Sequence, residues 1–169
     1  MPAKREVYFL ELINQHKGLI YKVARMYADL VEDREDLVQE IILRLWQSFE
    51  HFEGRSAFST WMYRVAVNTA ITFLRKEKKK PHQVEIELPS VQNKMDEAGS
   101  TDDNRLELFY KAVQQLNAVE KALIFYFMEG LSHREISQLL GLTEVNTRVK
   151  LARTKEKLQN IIKTYGYEP

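Results

Sequence analysis

Apolar residues recur every three or four positions along most of the chain, most clearly between residues 36 and 76. Because an α-helix turns by about 100° per residue, this spacing gathers the apolar side chains on one face. Two helices are predicted, with a break around Gly54 and the second starting near Ser59 or Thr60. The predicted buried faces are Leu37, Val38, Ile41, Ile42, Leu45, Trp46 and Phe49 on the first helix, and Trp61, Met62, Val65, Ala66, Thr69, Ala70 and Phe73 on the second.

The opposite face of the first predicted helix places Asp36, Gln39 and Glu40 around a single leucine, Leu43. One interpretation is a solvated face with one exposed leucine, because single apolar residues are common on protein surfaces. The other interpretation is a docking face with an apolar centre and an acidic rim. The residues by themselves leave both interpretations open.

The second predicted helix carries a polar strip away from its apolar face. Arg64, Asn68 and Arg75 lie within an arc of about 40°. Two guanidinium groups beside an amide suit the recognition of phosphate and of a base edge. A polar strip that only meets solvent fits the same spacing equally well.

The chain as a whole divides into two helical parts and a linker. Residues 1–76 form a domain of three or four helices, including amphipathic segments at 6–16 and 19–30. Residues 77–103 contain a lysine run, two prolines and few apolar residues, which is typical of a flexible linker. Residues 104–169 return to helical spacing, and strand-like alternation is absent. We therefore predict an all-α fold with two small helical domains that share no compact core.

The second domain contains the layout of a helix-turn-helix, which is a short helix, a glycine turn and a longer basic helix. Ser132 and Glu135 form a capping box at the start of the short helix, and Gly141 ends it. Thr143 can cap the last helix. Residues 142–163 hold six basic and two acidic residues, whereas the whole chain has a net charge of only +1.

The outer side of the last predicted helix presents a small apolar strip, Val145, Val149 and Ala152, between Arg148 and Arg153. Methyl-bearing side chains can meet thymine methyl groups, and arginines can reach guanine edges or phosphates. This pattern favours a helix that reads the major groove. A charged surface helix and a helix that packs on another protein are the alternatives.

Composition excludes several other functions. The chain has no cysteine, which rules out disulfides, thiolate metal sites and cysteine nucleophiles. The four histidines, His16, His51, His82 and His133, lack the spacing of a metal site, and no phosphate loop or catalytic constellation occurs. We predict no metal, no cofactor, no small-molecule substrate and no enzyme activity. Without a signal-peptide pattern or an 18-residue apolar run, the expected location is the cytoplasm.

Two stretches resemble one protein family. DLVQEIILRLW followed by FEGRSAFSTWMYRVAVNTA is similar to the first conserved domain of extracytoplasmic-function sigma factors of the sigma-70 class. GLSHREISQLLGLTEVNTRVKLARTKEKL resembles their C-terminal domain, which reads the −35 promoter element. The two stretches occur in the family's order and cover nearly the whole chain. The resemblance departs at Val145-Asn146, where many relatives have glycine and threonine, and this leaves the promoter sequence open.

The resemblance implies a role for each predicted surface. The segment that meets the polymerase clamp contains Asp36, Gln39, Glu40 and Leu43, and also Trp46, whose angle points towards the core. The surface linked to recognition and melting of the −10 region contains Arg55, Ser56, Phe58, Trp61, Arg64, Asn68 and Arg75. Among these, Asn68 corresponds to a position that helps to read an extruded base. The −35 reader contains Val145, Asn146, Arg148, Val149, Ala152 and Arg153.

The resemblance therefore implies a sigma factor that binds core RNA polymerase and promoter DNA, without a catalytic step, and that has an anti-sigma factor as a partner. Two rival hypotheses are a stand-alone helix-turn-helix regulator, which binds its operator as a dimer, and a helical adaptor that binds only proteins. A gel shift distinguishes them. The regulator binds duplex DNA alone, the sigma factor mainly with polymerase, and the adaptor not at all.

Overall fold

The computed structural model describes residues 2–52, 54, 57–79 and 101–166, and these residues contain helices and turns but no strand. The all-α prediction is confirmed. A short 3-10 turn, Phe49–His51, follows the third of the eight α-helices in this part of the chain. In chain order the α-helices are α1 (Pro2–Gln15), α2 (Lys17–Tyr27), α3 (Val31–Ser48), α4 (Phe58–Lys79), α5 (Thr101–Val113), α6 (Ala118–Met128), α7 (His133–Leu140) and α8 (Glu144–Thr164).

Helices α2, α3 and α4 pack on one another in the N-terminal half through amphipathic faces. The predicted buried face of α3 is largely correct, because Leu37, Ile41 and Leu45 are fully buried. On α4 the buried face is shifted slightly, since Val67 is buried and Val65 is only half-buried. Helix α1 covers the end of α3 through ring contacts of Phe9 with Trp46 and Phe49, at 5.0 and 5.2 Å between centroids.

Several helix boundaries differ from the sequence prediction. The break between α1 and α2 falls at His16, whereas Gly18 is helical. Helix α4 continues through Lys79 because lysine and glutamate are good helix formers. Helix α5 begins at Thr101, where Asp102 and Asp103 favour a helix N-terminus. The predicted linker, 77–103, therefore has helix at both ends, and its residues 80–100 lie outside the described part of the chain.

The C-terminal half has the predicted helix-turn-helix layout, and side-chain caps set its boundaries. Ser132 and Glu135 form a reciprocal capping box at the start of α7. Gly141 ends α7 with a φ of 68°, a left-handed conformation that glycine adopts without steric cost. The Thr143 hydroxyl accepts a hydrogen bond from the backbone N–H of Asn146 at 3.1 Å and so caps α8.

The two halves pack against each other, so the prediction that they share no compact core is wrong. One cluster of buried residues includes Val23 and Leu37 of the N-terminal half together with Phe125 and Leu151 of the C-terminal half. The connecting element is α6, in which six consecutive residues, 121–126, are buried. A helix that is apolar on all sides needs cover on all sides. Helix α8 covers one side of α6, and α2 and α4 cover another.

Candidate nucleic-acid and protein interfaces

The outward face of α3 is accessible, as the angular pattern predicts. Asp36, Gln39 and Leu43 are exposed, and Glu40 is half-buried. The exposed fraction of Leu43 is 48%, although it lies in the middle of a helix that buries four other apolar residues. Glu40 accepts a hydrogen bond from Arg44 Nε at 3.2 Å. The face therefore has an apolar centre with polar and acidic neighbours.

Trp46 does not lie inside the core, which corrects the inward position predicted from its angle. Its ring packs on Phe9, and the Arg5 guanidinium lies over it at 5.6 Å from the centroid. Even so, 38% of the residue stays exposed. The reason is that α1 crosses only one side of the indole. Trp46 thus marks the edge of the core, on the same helix as the exposed leucine.

An open groove of about 420 Å³ lies between α3 and α4. Asn68 lines this groove together with Asp36 and Glu40 of α3. The sequence had predicted separate surfaces for Asn68 and for these acidic residues. The two walls carry Asp36, Glu40 and Arg44 from α3, and Asn68, Thr72 and Lys76 from α4. The lining carries two carboxylates and two cationic side chains, Arg44 and Lys76, so its formal charge is zero. Together with the Asn68 amide, these side chains offer both hydrogen-bond donors and acceptors to a polar group in the groove.

The polar strip of α4 is accessible along its length. Arg64, Asn68 and Arg75 are all exposed. Because a helix rises about 1.5 Å per residue, the two arginines are about 16 Å apart along the helix axis, with the amide between them. The strip can therefore contact more than one phosphate while the amide faces the groove.

Phe58 and Trp61 belong to an aromatic cluster at the start of α4. Their ring centroids are 5.5 Å apart, and those of Phe52 and Trp61 are 5.1 Å apart. Phe49 closes the cluster from the buried side. Phe52, Phe58 and Trp61 are all half-buried, so one side of the cluster remains accessible for stacking. The predicted residues Arg55 and Ser56 lie outside the described residues.

The outer side of α8 carries the six residues predicted to read DNA, and all six are exposed: Val145, Asn146, Arg148, Val149, Ala152 and Arg153. The exposed fractions of the two valines are 69% and 42%. The opposite side is anchored, because Thr147, Leu151, Thr154 and Leu158 are buried. Arg148 Nη2 lies 3.6 Å from a Glu144 carboxylate oxygen, and this weak contact can be exchanged for a nucleic-acid partner.

Sequence reasoning missed a buried charge, Lys121, in the middle of α6. Only 2% of this residue is exposed. Burial, together with the positive charge of Lys78, lowers the pKa of Lys121 to about 8, and Asp29 partly offsets this change. Burial also raises the pKa of Tyr27, whose ring lies 5.5 Å from the lysine Nζ. A lysine inside the apolar run AVEKALIFYFM was the available signal.

Comparison with known proteins identifies both halves. Residues 12–80 match the family model of sigma-70 region 2, and residues 106–158 match that of sigma-70 region 4. The chain belongs to the sigma-70 family. Every residue predicted for an interface falls within one of the two matched ranges. The two matches also disfavour the stand-alone regulator and the adaptor, because neither rival accounts for region 2.

Curated relatives place this sigma factor in the extracytoplasmic-function group. It is 28% identical over 164 residues to the ECF RNA polymerase sigma-E factor of Haemophilus influenzae, covering 89% of this chain and 85% of that protein. It is 26% identical over 153 residues to the protein of the same name from Escherichia coli strain K12, covering 83% and 80%.

Two solved structures share the fold. One is the sigma factor RpoE in complex with the anti-sigma factor NepR from Bartonella quintana, with a TM-score of 0.72, 22% identity and coverage of 92% of this chain and 96% of that chain. The other is CnrH in complex with the cytosolic domain of CnrY, with a TM-score of 0.66, 18% identity and coverage of 94% and 90%. Both likenesses extend over the two halves of the sigma factor.

Across the described residues, every helix is too short or too polar to span a membrane. In the same part of the chain, no group of three or more His, Asp and Glu side chains is arranged to hold a metal ion.

Proposed function

We propose that this sigma factor binds core RNA polymerase, directs it to specific promoters and helps to open the −10 region, using three surfaces, of which the first two meet at the groove between α3 and α4. The observation that carries the proposal is the accessibility of the described residues of all three surfaces within the two matched sigma-70 regions. Residues 1–76 are proposed as the domain for polymerase binding and −10 recognition. Residues 104–169 are proposed as the domain for −35 recognition, joined to the first by the linker 77–103.

The α3 face is the proposed contact with the polymerase. A half-exposed Leu43 surrounded by Asp36, Gln39 and Glu40 has the composition of a small hot spot with a polar rim. The acidic rim favours a basic surface on the polymerase, and this charge pairing fixes how the two proteins are oriented at the apolar contact. Leu43 is 48% exposed and is not one of the buried core residues, so about half of its surface is available for an apolar contact with the polymerase.

The groove between α3 and α4 is the proposed acceptor of one unpaired base of the −10 element. The Asn68 amide can donate to and accept from a base edge, while Glu40 can accept from an exocyclic amino group. Arg64 and Arg75 would hold the flanking backbone. The half-buried aromatic cluster of Phe58 and Trp61 would stack on neighbouring bases as the strands separate. The predicted Arg55 and Ser56 stay part of this proposal.

The outer side of α8 is the proposed −35 reader. Its exposed valines and Ala152 can meet thymine methyl groups, and Arg148 and Arg153 can contact guanine edges or phosphates. Asn146 stands at the N-terminal end of the helix, where a helix-turn-helix makes its base contacts. Val145 and Asn146 stand where many members of the family have glycine and threonine, so the side chains offered to the DNA differ at these two positions.

The proposed role is that of a binding factor, with no cofactor, no small-molecule substrate and no catalytic step of its own. Its place of action is the cytoplasm, where core polymerase is found. An anti-sigma factor is a proposed partner, since one structural relative was solved with such a protein. That partner would bind where it blocks the polymerase-facing surface of α3.

Substitution of Asn68 tests the proposed reading of a −10 base separately from the binding of core polymerase. Asn68→Ala is expected to leave polymerase binding intact, to weaken strand opening and to relax the base preference at one −10 position. Permanganate footprinting of a promoter library, with core polymerase present, measures both effects. A premelted template should restore most of the opening, because the cost of a few kcal/mol for unstacking is already met.

The matched control is Thr72→Ala in the same groove. The Thr72 hydroxyl donates to the backbone carbonyl of Asn68 at 3.0 Å, so this hydroxyl is already engaged within the helix. The control should open promoters like the wild type. If Asn68→Ala opens every promoter variant with unchanged efficiency and selectivity, Asn68 is not the base reader.

A further inference from the structure

Helix α1 reaches the aromatic cluster through Phe49, of which only 9% is exposed. The Phe49 ring lies 5.2 Å from the ring of Phe9 and 6.1 Å from that of Tyr8, measured between centroids. The same ring lies 6.5 Å from Phe58, edge-on, and 6.4 Å from Trp61. One ring therefore separates α1 from the two side chains that are proposed to stack on bases.

A second contact with the cluster comes from His16, at the break between α1 and α2. The imidazole ring lies 5.2 Å from the Phe58 ring, and the two planes are tilted by 58°. His16 Nδ1 donates to the carbonyl oxygen of Leu12 at 2.8 Å, one helical turn earlier. This hydrogen bond restricts rotation of the imidazole. The ring that packs on Phe58 is therefore itself held in place by α1.

Helix α1 is also held against the end of α3. Arg5 Nη1 lies 2.8 Å from Glu50 Oε1, and the Arg5 guanidinium lies 5.6 Å from the ring centres of both Trp46 and Phe49. An exposed ion pair contributes little alone, whereas a guanidinium between two rings adds cation–π attraction. These contacts fix α1 on Phe49, which is the ring that supports the cluster.

The accessible rings of the cluster have few other constraints. Phe52 follows the 3-10 turn and Phe58 is the first residue of α4, so neither lies inside a helix. The centroids of Phe52, Phe58 and Trp61 are between 5.1 and 5.7 Å apart. Rings that met only one another could reorient together. The contacts with His16 and Phe49 prevent this, because they tie the cluster to two places in the fold.

A ring that is already oriented stacks on a base at a lower entropic cost than a mobile ring. Ordering a mobile side chain on binding weakens affinity by about two- to tenfold for each side chain. Stacking of unpaired bases on aromatic rings is also the step that retains separated strands. Support of the cluster by α1 should therefore affect strand opening more than polymerase binding.

We propose that Phe9 and His16 are positioning residues for promoter opening, because they hold the rings that stack on unpaired −10 bases. They act through Phe49 and Phe58 and not through contact with DNA. The proposal rests on the function proposed above. Most of α1, including Phe9, precedes residue 12, where the match to sigma-70 region 2 begins. The support from Phe9 is therefore not part of the family match.

Fluorescence of Trp61 tests this support in the free chain. The chain has two tryptophans, so Trp46→Phe leaves Trp61 as the only one. In this background His16→Leu removes the imidazole ring and His16→Phe keeps an aromatic ring, while both lose the hydrogen bond to Leu12. His16→Leu should raise acrylamide quenching of Trp61 and shift its emission to longer wavelength. His16→Phe should match the parent, as should Gln15→Leu, which changes an exposed neighbour on α1.

Permanganate footprinting with core polymerase and saturating sigma factor tests the effect on opening, with Trp46 in place. His16→Leu should slow opening of the −10 region by about two- to tenfold and leave the affinity for core polymerase unchanged. His16→Phe should restore most of the rate. Phe9→Leu, which also exchanges a ring for an aliphatic side chain, should slow opening in the same way.

Three results would contradict the proposal. Unchanged quenching and emission of Trp61 in His16→Leu would refute the positioning role, even if the cluster does stack on bases. An equal loss of opening in His16→Leu and His16→Phe would assign the effect to the hydrogen bond or to the fold instead of the ring. A wild-type rate of opening in Phe58→Ala would refute the stacking role of the cluster, and the effect on opening with it, whatever the fluorescence result.

Discussion

Replacing Lys121 with methionine should stabilise this sigma factor. The lysine amine is buried between the halves, where Tyr27, Asp29, Lys78 and Gln114 face it from the neighbouring segments. Its pKa falls from 10.5 to about 8, mainly through burial. At about 1.36 kcal/mol per pKa unit, the charged form costs about 3 kcal/mol at neutral pH.

The expected gain at pH 7 is smaller than this cost, because the ammonium also makes favourable contacts. Its interaction with the Tyr27 ring contributes about 1 kcal/mol. The hydrogen bond to Gln114, at 3.4 Å, is long and weak. Methionine has a similar length and no charge. Lys121→Met should therefore raise the free energy of unfolding by about 2 kcal/mol at pH 7.

The pH dependence gives an independent measurement of the same lysine. Because the pKa of Lys121 is lowered in the folded state, the unfolded chain binds more protons between pH 8 and pH 10.5. The free energy of unfolding should then rise with pH in this interval, by about 2 kcal/mol up to pH 9.5. Lys121→Met should lack the rise. Above pH 10 the buried Tyr27 and Tyr126, whose pKa values are raised by burial, act in the opposite direction.

Urea denaturation at several pH values measures these differences, and NMR titration of the Lys121 side chain measures its pKa directly. Lys150→Met is the control, since Lys150 is exposed on α8 and its loss should change stability by less than about 0.5 kcal/mol. A pKa near 10.5 for Lys121, or a large loss of stability in Lys121→Met, would refute the reasoning. An unshifted pKa would mean that the halves do not enclose this lysine in solution, whereas a large loss of stability would mean that the contacts of the ammonium outweigh the cost of burying it.

Three further predictions concern single residues. Leu43→Ala should weaken binding to core polymerase in a pull-down titration and change the free energy of unfolding by less than about 0.5 kcal/mol, because the leucine is half-exposed; a large loss of stability would make it a core residue. Arg148→Ala and Arg153→Ala should each cost about 1–3 kcal/mol in promoter binding if they contact bases, whereas a sequence-independent loss with a smaller salt slope indicates phosphate contact. Gly141→Ala should destabilise the protein by about 1–2 kcal/mol in thermal denaturation, since alanine is strained at a φ of 68°.

Local patterns were enough to predict the helices and the helix-turn-helix. Ser132, Gly141 and Thr143 act within a few residues of their own position, so their caps depend little on the rest of the fold. The outward positions of Leu43 and Arg153 follow from helical angles alone in the same way. The ends of the linker were less predictable, because helix propensity changes gradually along a run such as residues 76–79.

Contacts between distant residues could not be read from the sequence. Asp36 and Asn68 were predicted on different helices and on different surfaces. They line one groove only because α3 packs on α4. The exposed fraction of Trp46 likewise depends on a contact with a distant residue, Phe9 of α1, whose ring packs on the indole.

Helix periodicity, caps and family motifs are local properties of the chain, so the sequence was enough to predict an all-α sigma factor with two regions. That the two regions share one core became visible only in the packing of distant helices. The apolar α6 needs cover on every side, but its sequence does not say which helices provide it. That choice depends on contacts such as Lys22 with Glu129, which are 107 positions apart in the sequence and meet only when the chain is folded.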